Sequence, residues 1–404
     1  MKRKFLSILL TLAMALTLLP TAAMAEGETA TLQSKITTSG TVTLDKGYTE
    51  DITIPADANI TLDLNGETLS NTNSGKATLS VEGTAVVKNG TISGGTGYYN
   101  IEVKAGGSLT LEDVTATAGN SGSSMIDNHG TLTINSGTYT GGLNVVKNEP
   151  NAKLTISGGE FALTKGTKKG YTGVVFNYGE LNISGGIFIQ SDTRAPFGYA
   201  QVIHTAKYDS VAPKTAITGG TFNNLCSNST AWTIRTYGSD SSFTKVSGGS
   251  FNKSVSSSYL ENGLACKKDS ETNTYKLVTG ATGVTLSESE KTIKVGESFK
   301  LEATLTPEDA ELKSVTWRSS STKIAAVNNG IVKGKAIGDV TITATPNAGG
   351  ATPATCTVHV YDEVAQIDET KYPTIEAALA AAQENDTGNV KKSAVGKHPK
   401  SEKL

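Results

Sequence analysis

Charge, basic clusters and long apolar runs are all scarce in this chain. Charged residues make up 18% of the 404 positions, and the formal net charge is −2. No basic stripe is present that could neutralise a row of phosphates, which excludes nucleic-acid binding. This composition is typical of strand repeats rich in Thr, Ser and Gly.

Cysteine is also scarce, with three residues in the whole chain. An odd number argues against a disulfide framework. A single disulfide between Cys226 and Cys266 stays an open alternative. Cys356 has the same parity as Val358 and Val360, which predicts a buried thiol.

The one long apolar run lies at the N-terminus. Residues 1–25 combine Lys2-Arg3-Lys4, an apolar run from 5 to 19 and Ala23-Met24-Ala25, the three parts of a secretory signal peptide. The run is too short to span a membrane. Cleavage after Ala25 leaves 33 Lys and Arg against 38 Asp and Glu, about −5. The sequence predicts export, with no membrane span after signal cleavage.

Glycine is abundant, with 43 residues, and it accompanies a repeat. Pairs of apolar residues five positions apart return every 22–34 residues, at Leu64/Leu69, Val87/Ile92, Leu111/Ala116, Ile134/Tyr139, Ile156/Phe161, Ile183/Phe188, Ile217/Phe222 and Val246/Phe251. Such a period is typical of a solenoid. Odd spacing within a pair requires a bend, and four pairs carry Gly-Gly there. Stacked coils would align an aromatic column, so residues 26–279 are predicted to form a right-handed parallel β-helix.

A second column contains asparagine, in Ile126-Asp-Asn128, Val146-Lys-Asn148 and Val175-Phe-Asn177. Asn tolerates the left-handed conformation and hydrogen-bonds its own backbone in turns. We interpret the column as a turn ladder, and His129 as a turn residue, and not as a ligand site.

Residues 280–361 have a different pattern of short alternating strands, which predicts a β-sandwich. VGESFKLEATLTP, Val315-Thr-Trp317, Val327 to Gly334 and Gly338 to Ala344 resemble the group 2 bacterial immunoglobulin-like domain. The resemblance implies a module of bacterial surface proteins that usually acts as a spacer, with Trp317 in its core.

Residues 362–404 are predicted to begin a further module and to end in a basic unstructured tail. Ile375, Leu379 and Ala382 share one face of a predicted helix. The helix resembles one that opens many secreted β-helix domains. Because no strand pattern follows it, we expect a truncated C-terminus.

The repeat resembles pectin-lyase-like parallel β-helices, a class that includes polysaccharide lyases and glycoside hydrolases. An enzyme of this class would need its polar residues to converge in one groove. The candidates are Asp192, Arg194, His204, Lys207, Asp209 and Arg235. The motifs of pectin hydrolases are absent, so we predict no catalytic residue, no metal and no cofactor.

The longest coils, between Ile156 and Val246, carry most of the loop aromatics. Aromatic faces beside polar groups suit a sugar ring, and the predicted ligand-binding residues are Tyr171, Arg194, Phe197, Tyr199, Trp232, Arg235 and Tyr237. The sequence predicts a secreted or cell-surface bacterial protein with a non-catalytic adhesive or glycan-associated β-helix, whose partners are glycans or host or cell-wall polymers. The alternatives are a lyase or hydrolase, and a purely structural stalk.

Overall fold

A computed structural model of the chain describes most residues from 31 onward. The described residues are 31–73, 75–94, 99–118, 122–164, 172–191, 200–226, 232–237, 240–362, 365–367, 370–372, 375–382 and 388–390. The predicted signal peptide at 1–25 lies outside this part of the chain.

A parallel β-helix precedes a β-sandwich. Each full coil of the β-helix contributes one strand to an eight-stranded parallel sheet, which we call the front sheet. Its strands are Ile52–Ile54, Leu79–Val81, Ile101–Val103, Ile126–Asn128, Val146–Asn148, Thr172–Asn177, Ala200–Thr205 and Ile234–Thr236.

The rest of each coil forms two adjoining columns of strands, which we call the back columns. The first contains Ser39–Thr43, Asn59–Asp63, Thr131–Ile134, Lys153–Ile156, Glu180–Ile183, Lys214–Ile217 and Thr244–Val246. The second contains Tyr48–Thr49, Thr68–Asn71, Gly137–Thr140, Glu160–Leu163, Ile187–Gln190, Thr221–Asn224 and Ser250–Phe251. Two long strands, Thr84–Gly94 and Ser108–Ala118, pass through both columns.

Gly-Gly pairs form the corner between the back columns, as the repeat predicts. The second glycine of each pair has a positive φ, for example 95° at Gly159 and 97° at Gly186. A Cβ on the first, as at Gly158 or Gly185, would collide with a carbonyl oxygen of the preceding coil. Both glycines are therefore required, one for its φ and one for close packing of the coils.

The interior contains the predicted aromatic column. Tyr139, Phe161, Phe188, Phe222 and Phe251 are fully buried, and successive ring centroids lie 4.9–5.1 Å apart in stacked geometry. One assignment in the repeat was wrong: Leu62, and not Leu64, pairs with Val87. The Asn65-Gly66 turn, where Asn65 has φ 51°, separates Leu64 from the strand that ends at Asp63, so Leu64 is buried beyond the column.

The asparagines form a buried ladder at the ends of front strands. Asn128 Nδ2 donates to Asn148 Oδ1 at 2.7 Å, and Asn148 Nδ2 donates to Asn177 Oδ1 at 2.7 Å. Asn177 Oδ1 also accepts from Gly179 N, as in an Asx turn. The structural ladder is confirmed, but its asparagines keep negative φ.

Both ends of the stack are covered. The short helix Leu32–Lys35 places the Gln33 carboxamide on the first front strand, where it donates to Thr53 O and accepts from Thr53 N. At the other end the hairpin Leu264–Lys268 and Tyr275–Thr279 pairs antiparallel to the last back strand. Tyr259, in the 3-10 turn Ser257–Tyr259, accepts from Thr236 N of the last front strand. A second 3-10 turn spans Ser241–Phe243.

The β-sandwich contains nine strands. They are Gly283–Leu286, Glu290–Lys294, Ser298–Lys300, Ala303–Thr306, Val315–Ser319, Ala325–Asn328, Ile331–Gly334, Gly338–Pro346 and Ala354–Tyr361. Cys356 is buried in its core, and Trp317 packs against that core while remaining partly exposed. All three cysteines are free thiols, so the bridge that the sequence left open is not formed.

The segment after the sandwich corrects two expectations. It contains strands Ala365–Ile367, Thr370–Tyr372 and Gly388–Val390 and the helix Ile375–Ala381. Gly388–Val390, placed by the sequence in an unstructured tail, pairs with Ala365–Ile367. On the helix, Leu379 is 58% exposed, whereas Ala378 is buried, so the predicted apolar face was wrong. No helix in the described part of the chain is long and apolar enough to cross a membrane.

Candidate binding face

The front sheet carries a row of functional side chains that point away from the solenoid interior, although four of them, Glu102, Asp127, Phe176 and His204, are themselves buried. In each strand the residues at the two ends of the three-residue core, such as Ile126 and Asn128, point into the solenoid, so the central residue points outward. These central residues lie in register on successive coils, in the order Thr53, Ser80, Glu102, Asp127, Lys147, Phe176, His204 and Arg235.

A second row lies two positions further along each coil. It includes His129, Glu149, Tyr178 and Tyr237, whose backbone N–H groups donate to carbonyls of the preceding coil. Outward positions of the described back strands carry no aromatic side chain; Thr133 and Thr155 are typical. The two rows together, from Asp127 to Tyr237, define what we call the front face.

Four charged or titratable side chains meet at the middle of the front face. Asp127 Oδ2 lies 2.9 Å from His129 Nε2, and Lys147 donates to Glu149 Oε1. Lys147 Nζ also lies 5.9 Å from the centre of the Tyr178 ring. The Asp127 side chain is 2% exposed, whereas His129 is 43% exposed. A buried carboxyl group therefore lies beside an accessible imidazole, with the partly exposed Lys147–Glu149 pair on the next coil.

Burial sets the electrostatics of this cluster. Desolvation, followed by the charge of Glu149, raises the pKa of Asp127 above its usual value, against the opposing charges of Lys147 and His129. For Lys147, burial is the largest influence and lowers the pKa, but the hydrogen bond to Glu149 and the negative charges of Glu149 and Asp127 together outweigh it, so the pKa is raised. Lys147 and Glu149 thus form an ion pair beside the Asp127 carboxyl group, whose charged form is disfavoured by burial.

An aromatic segment adjoins the charged cluster. The Phe176 ring stacks on His204 at 4.3 Å and lies 4.9 Å from Tyr178, which meets Tyr208 edge-on at 5.3 Å. Burial, and then the charge of Arg235, lowers the pKa of His204 to about 4. His204 is therefore neutral at physiological pH and acts here as a flat, uncharged ring.

Three predicted ligand-binding residues lie together at the end of the front face. Trp232 and Tyr237 are 50% and 49% exposed, and the Arg235 guanidinium lies 5.6 Å from the centre of the Trp232 ring. Trp232 thus offers an exposed ring beside a cation, and Tyr237, two residues after Arg235, adds a second exposed ring; such side chains suit the face and the hydroxyls of a sugar. The other four predicted residues, Tyr171, Arg194, Phe197 and Tyr199, lie outside the described residues.

The residues of the enzyme alternative are only partly brought together. His204 and Arg235 are neighbours on the front face. Lys207 and Asp209 are exposed and lie beyond the strand, with Asp209 in a left-handed conformation at φ 53°. Asp192 and Arg194 lie outside the described residues.

The charged cluster was missed by sequence reasoning. Asp127, Lys147 and Phe176 are the middle residues of the tripeptides that the asparagine column singled out, and His129 was interpreted as a turn residue. Alternation was the available signal, because an inward Ile or Val and an inward Asn require an outward residue between them.

A polar cleft of about 270 Å³ lies before the charged cluster, between Asp51, Lys76, Glu82, Glu102 and Lys104. Asp51 pairs with Lys76 at 2.9 Å, and Glu102 pairs with Lys104 at 2.5 Å. Each of the two lysines of the cleft is thus already paired with an acid.

Comparison with known proteins accounts for the sandwich. The profile of the bacterial Ig-like domain (group 2) matches residues 280–358. Residues 280–358 are a bacterial Ig-like domain of group 2. The match ends within the strand Ala354–Tyr361, so the Ig-like domain and the nine-strand sandwich coincide closely.

Relatives that contain similar segments are diverse. An Ig-like virion protein of Serratia phage KSP90 is 47% identical over 85 residues, 20% of this chain and 33% of that protein. An uncharacterized protein of Clostridium acetobutylicum is 42% identical over 81 residues, 20% of this chain and 8% of that protein. A 3-O-alpha-D-galactosyl-alpha-L-arabinofuranosidase of Bifidobacterium longum is 35% identical over 97 residues, which are 22% of this chain and 8% of that protein. The chain spans at most a third of these relatives.

Proposed function

We propose that this is a secreted or cell-surface protein whose β-helix binds glycans through the front face without catalysis, and whose Ig-like domain is a spacer. The observation that carries the proposal is the group of the exposed Trp232 and Tyr237 with the partly exposed Arg235, because the rings can stack on sugar faces while the guanidinium donates to hydroxyls or carboxylates.

The arrangement of the front face supports a polymeric ligand. The accessible side chains of its second row, at His129, Tyr178 and Tyr237, stand on three coils of a stack whose coils are about 4.8 Å apart, so they form an interrupted strip along the solenoid axis. The back columns, with their Thr-rich surface, offer no comparable strip among the described residues. A chain of sugars lying along the strip would contact several coils at once. Because the contacts are linked, their combined affinity would exceed that of any single contact.

Export and surface location are part of the proposal. The predicted signal peptide and an Ig-like domain similar to part of a virion protein support them. In this arrangement the Ig-like domain would hold the β-helix away from the surface on which the protein is carried.

The test is a binding screen of the full chain against plant, mucin and peptidoglycan glycans, with product formation followed in the same samples. We expect binding that weakens about tenfold in Trp232→Ala and in Tyr237→Ala. Ile187→Ala, which removes an exposed aliphatic side chain from a back column, is the matched control and should leave binding unchanged. Absence of binding to every glycan would contradict the proposal and favour the structural stalk.

One observation favours a hydrolase as the second candidate. Ligand atoms of Asp127 and Glu149 lie within 4.8 Å of each other, and the raised pKa of Asp127 is what a general acid requires. In this case the screen would detect sugar product, and Asp127→Asn and Glu149→Gln would each abolish it while retaining binding. Binding without product would exclude this candidate for the glycans screened.

A further inference from the structure

The charged cluster of the front face contains a set of metal-ligand atoms. Asp127 and His129 lie on one coil, and Glu149 lies at the second-row position of the next coil. One carboxylate oxygen from each acid and one imidazole nitrogen all lie within 4.8 Å of one another. Parallel stacking of the coils places them there, since Glu149 N donates to Asn128 O.

A second, independent observation points to a missing ligand. Asp127 Oδ1 is buried and accepts no hydrogen bond from any residue in the described part of the chain, while Oδ2 is satisfied by His129. The side chain is 2% exposed. An unpaired buried carboxylate oxygen is costly, and native proteins usually satisfy such an atom with a partner, a water or an ion. A cation at this position would supply the partner.

The donor set selects the class of cation. One imidazole nitrogen with two carboxylate oxygens suits a first-row transition metal such as Zn²⁺, whereas Ca²⁺ takes six or more oxygens. Three protein ligands also leave a coordination position for an external group. The partly exposed imidazole of His129 lies on the solvent side of the cluster, so an ion can enter there.

Lys147 is the competing cation of the apo site. Its ammonium donates to Glu149 Oε1, so an incoming metal must displace it from that carboxylate. The ring of Tyr178, 5.9 Å from Nζ, offers the displaced ammonium a cation–π contact on the same face.

We propose that Asp127, His129 and Glu149 form a binding site for a zinc-class divalent metal, gated by Lys147. The site is separate from the exposed Trp232 and Tyr237 surface, and it does not depend on glycan binding. Metal binding is measured without any glycan, so the two proposals fail independently.

The test uses the full chain without an affinity tag, titrated with Zn²⁺ at pH 7.5 by calorimetry and by competition with a zinc dye. We expect one saturable site, and we expect at least about tenfold weaker binding in His129→Gln and Glu149→Gln. Lys147→Met keeps the aliphatic stem but removes the competitor, so it should tighten binding. Zn²⁺ should also raise the melting temperature of the wild type and not that of His129→Gln.

A surface histidine of the Ig-like domain provides the matched control. His359 lies between Asp339 at 2.7 Å and Glu290 at 2.8 Å, but the two carboxylates bond opposite ring nitrogens and cannot share an ion with them. His359→Gln should leave Zn²⁺ affinity unchanged. The proposal is overturned if the wild type binds no Zn²⁺, if His129→Gln binds it as tightly, or if Lys147→Met weakens binding in a correctly folded protein.

Discussion

Replacing Asp127 by Asn should stabilise the folded protein at neutral pH, although it alters the proposed site. The amide oxygen can retain the hydrogen bond to His129, while the substitution removes a buried negative charge close to Glu149. The Nδ2 group that replaces Oδ1 is itself buried, so the gain comes from removing the buried charge and not from pairing that atom. Because the attraction of Lys147 is lost at the same time, we expect a net gain of about 1 kcal/mol.

The sign of the pKa shift of Asp127 fixes how this gain depends on pH. Because burial raises the pKa in the folded state, the stabilising contribution of the protonated carboxyl is fully present below the unfolded pKa, near about 3.9. It is lost as the pH rises through the raised folded pKa. The advantage of Asp127→Asn should therefore be small near pH 3.5 and reach its full value at pH 7.

Urea unfolding followed by circular dichroism, in EDTA at both pH values, measures this difference. Asp51→Asn is the control, because the hydrogen bond from Lys76 holds the pKa of Asp51 below its usual value. That variant should lose stability at pH 7 and lose less at low pH. The reasoning is refuted if Asp127→Asn is destabilised by about 1 kcal/mol or more at pH 7, or if its effect does not change with pH.

Two further predictions concern the interior. Phe188→Ala removes the middle ring of a stack in which both neighbouring centroids lie at 4.9 Å, and it should cost about 3–5 kcal/mol in urea unfolding, whereas the outward Ile187→Ala should cost under about 0.5. Asn148→Asp replaces a buried donor to Asn177 Oδ1 with an acceptor, so it should lower the free energy of unfolding by at least about 2 kcal/mol. The control is the outward Asn223→Asp, which should change it by less than about 0.5 kcal/mol. An equally small change in Asn148→Asp would contradict a stabilising role of the ladder.

The back columns could be predicted from the sequence because their signals are local. Alternation identifies the strands, Gly158-Gly159 and its equivalents identify the corner, and the aromatic residue that follows is buried. The first coil was misregistered because Leu62 and Leu64 are both buried, and parity alone cannot choose between them. Only the pairing of Leu62 with Val87 resolves it.

The front face was only partly predictable. Sequence reasoning identified Trp232, Arg235 and Tyr237 because they lie in an enlarged coil, and insertions into a solenoid often form loops on its binding face. Asp127 and Lys147 lie in coils of ordinary length, within strands of three residues that are too short to display alternation. Asp127 lies near His129, and Lys147 near Glu149, within one coil, but the meeting of these two pairs depends on the register between coils, which the sequence of any one coil does not contain.

The covered ends of the stack give the front sheet a definite length. The Gln33 carboxamide hydrogen-bonds the backbone of Thr53 in the first front strand, and the Tyr259 hydroxyl accepts a hydrogen bond from Thr236 N in the last. A bare parallel edge would invite a further strand from another chain. With both edges occupied, the eight strands span about 34 Å across their seven intervals. If the front face binds a polymer as proposed, the number of coils would set how many successive units of that polymer the protein contacts.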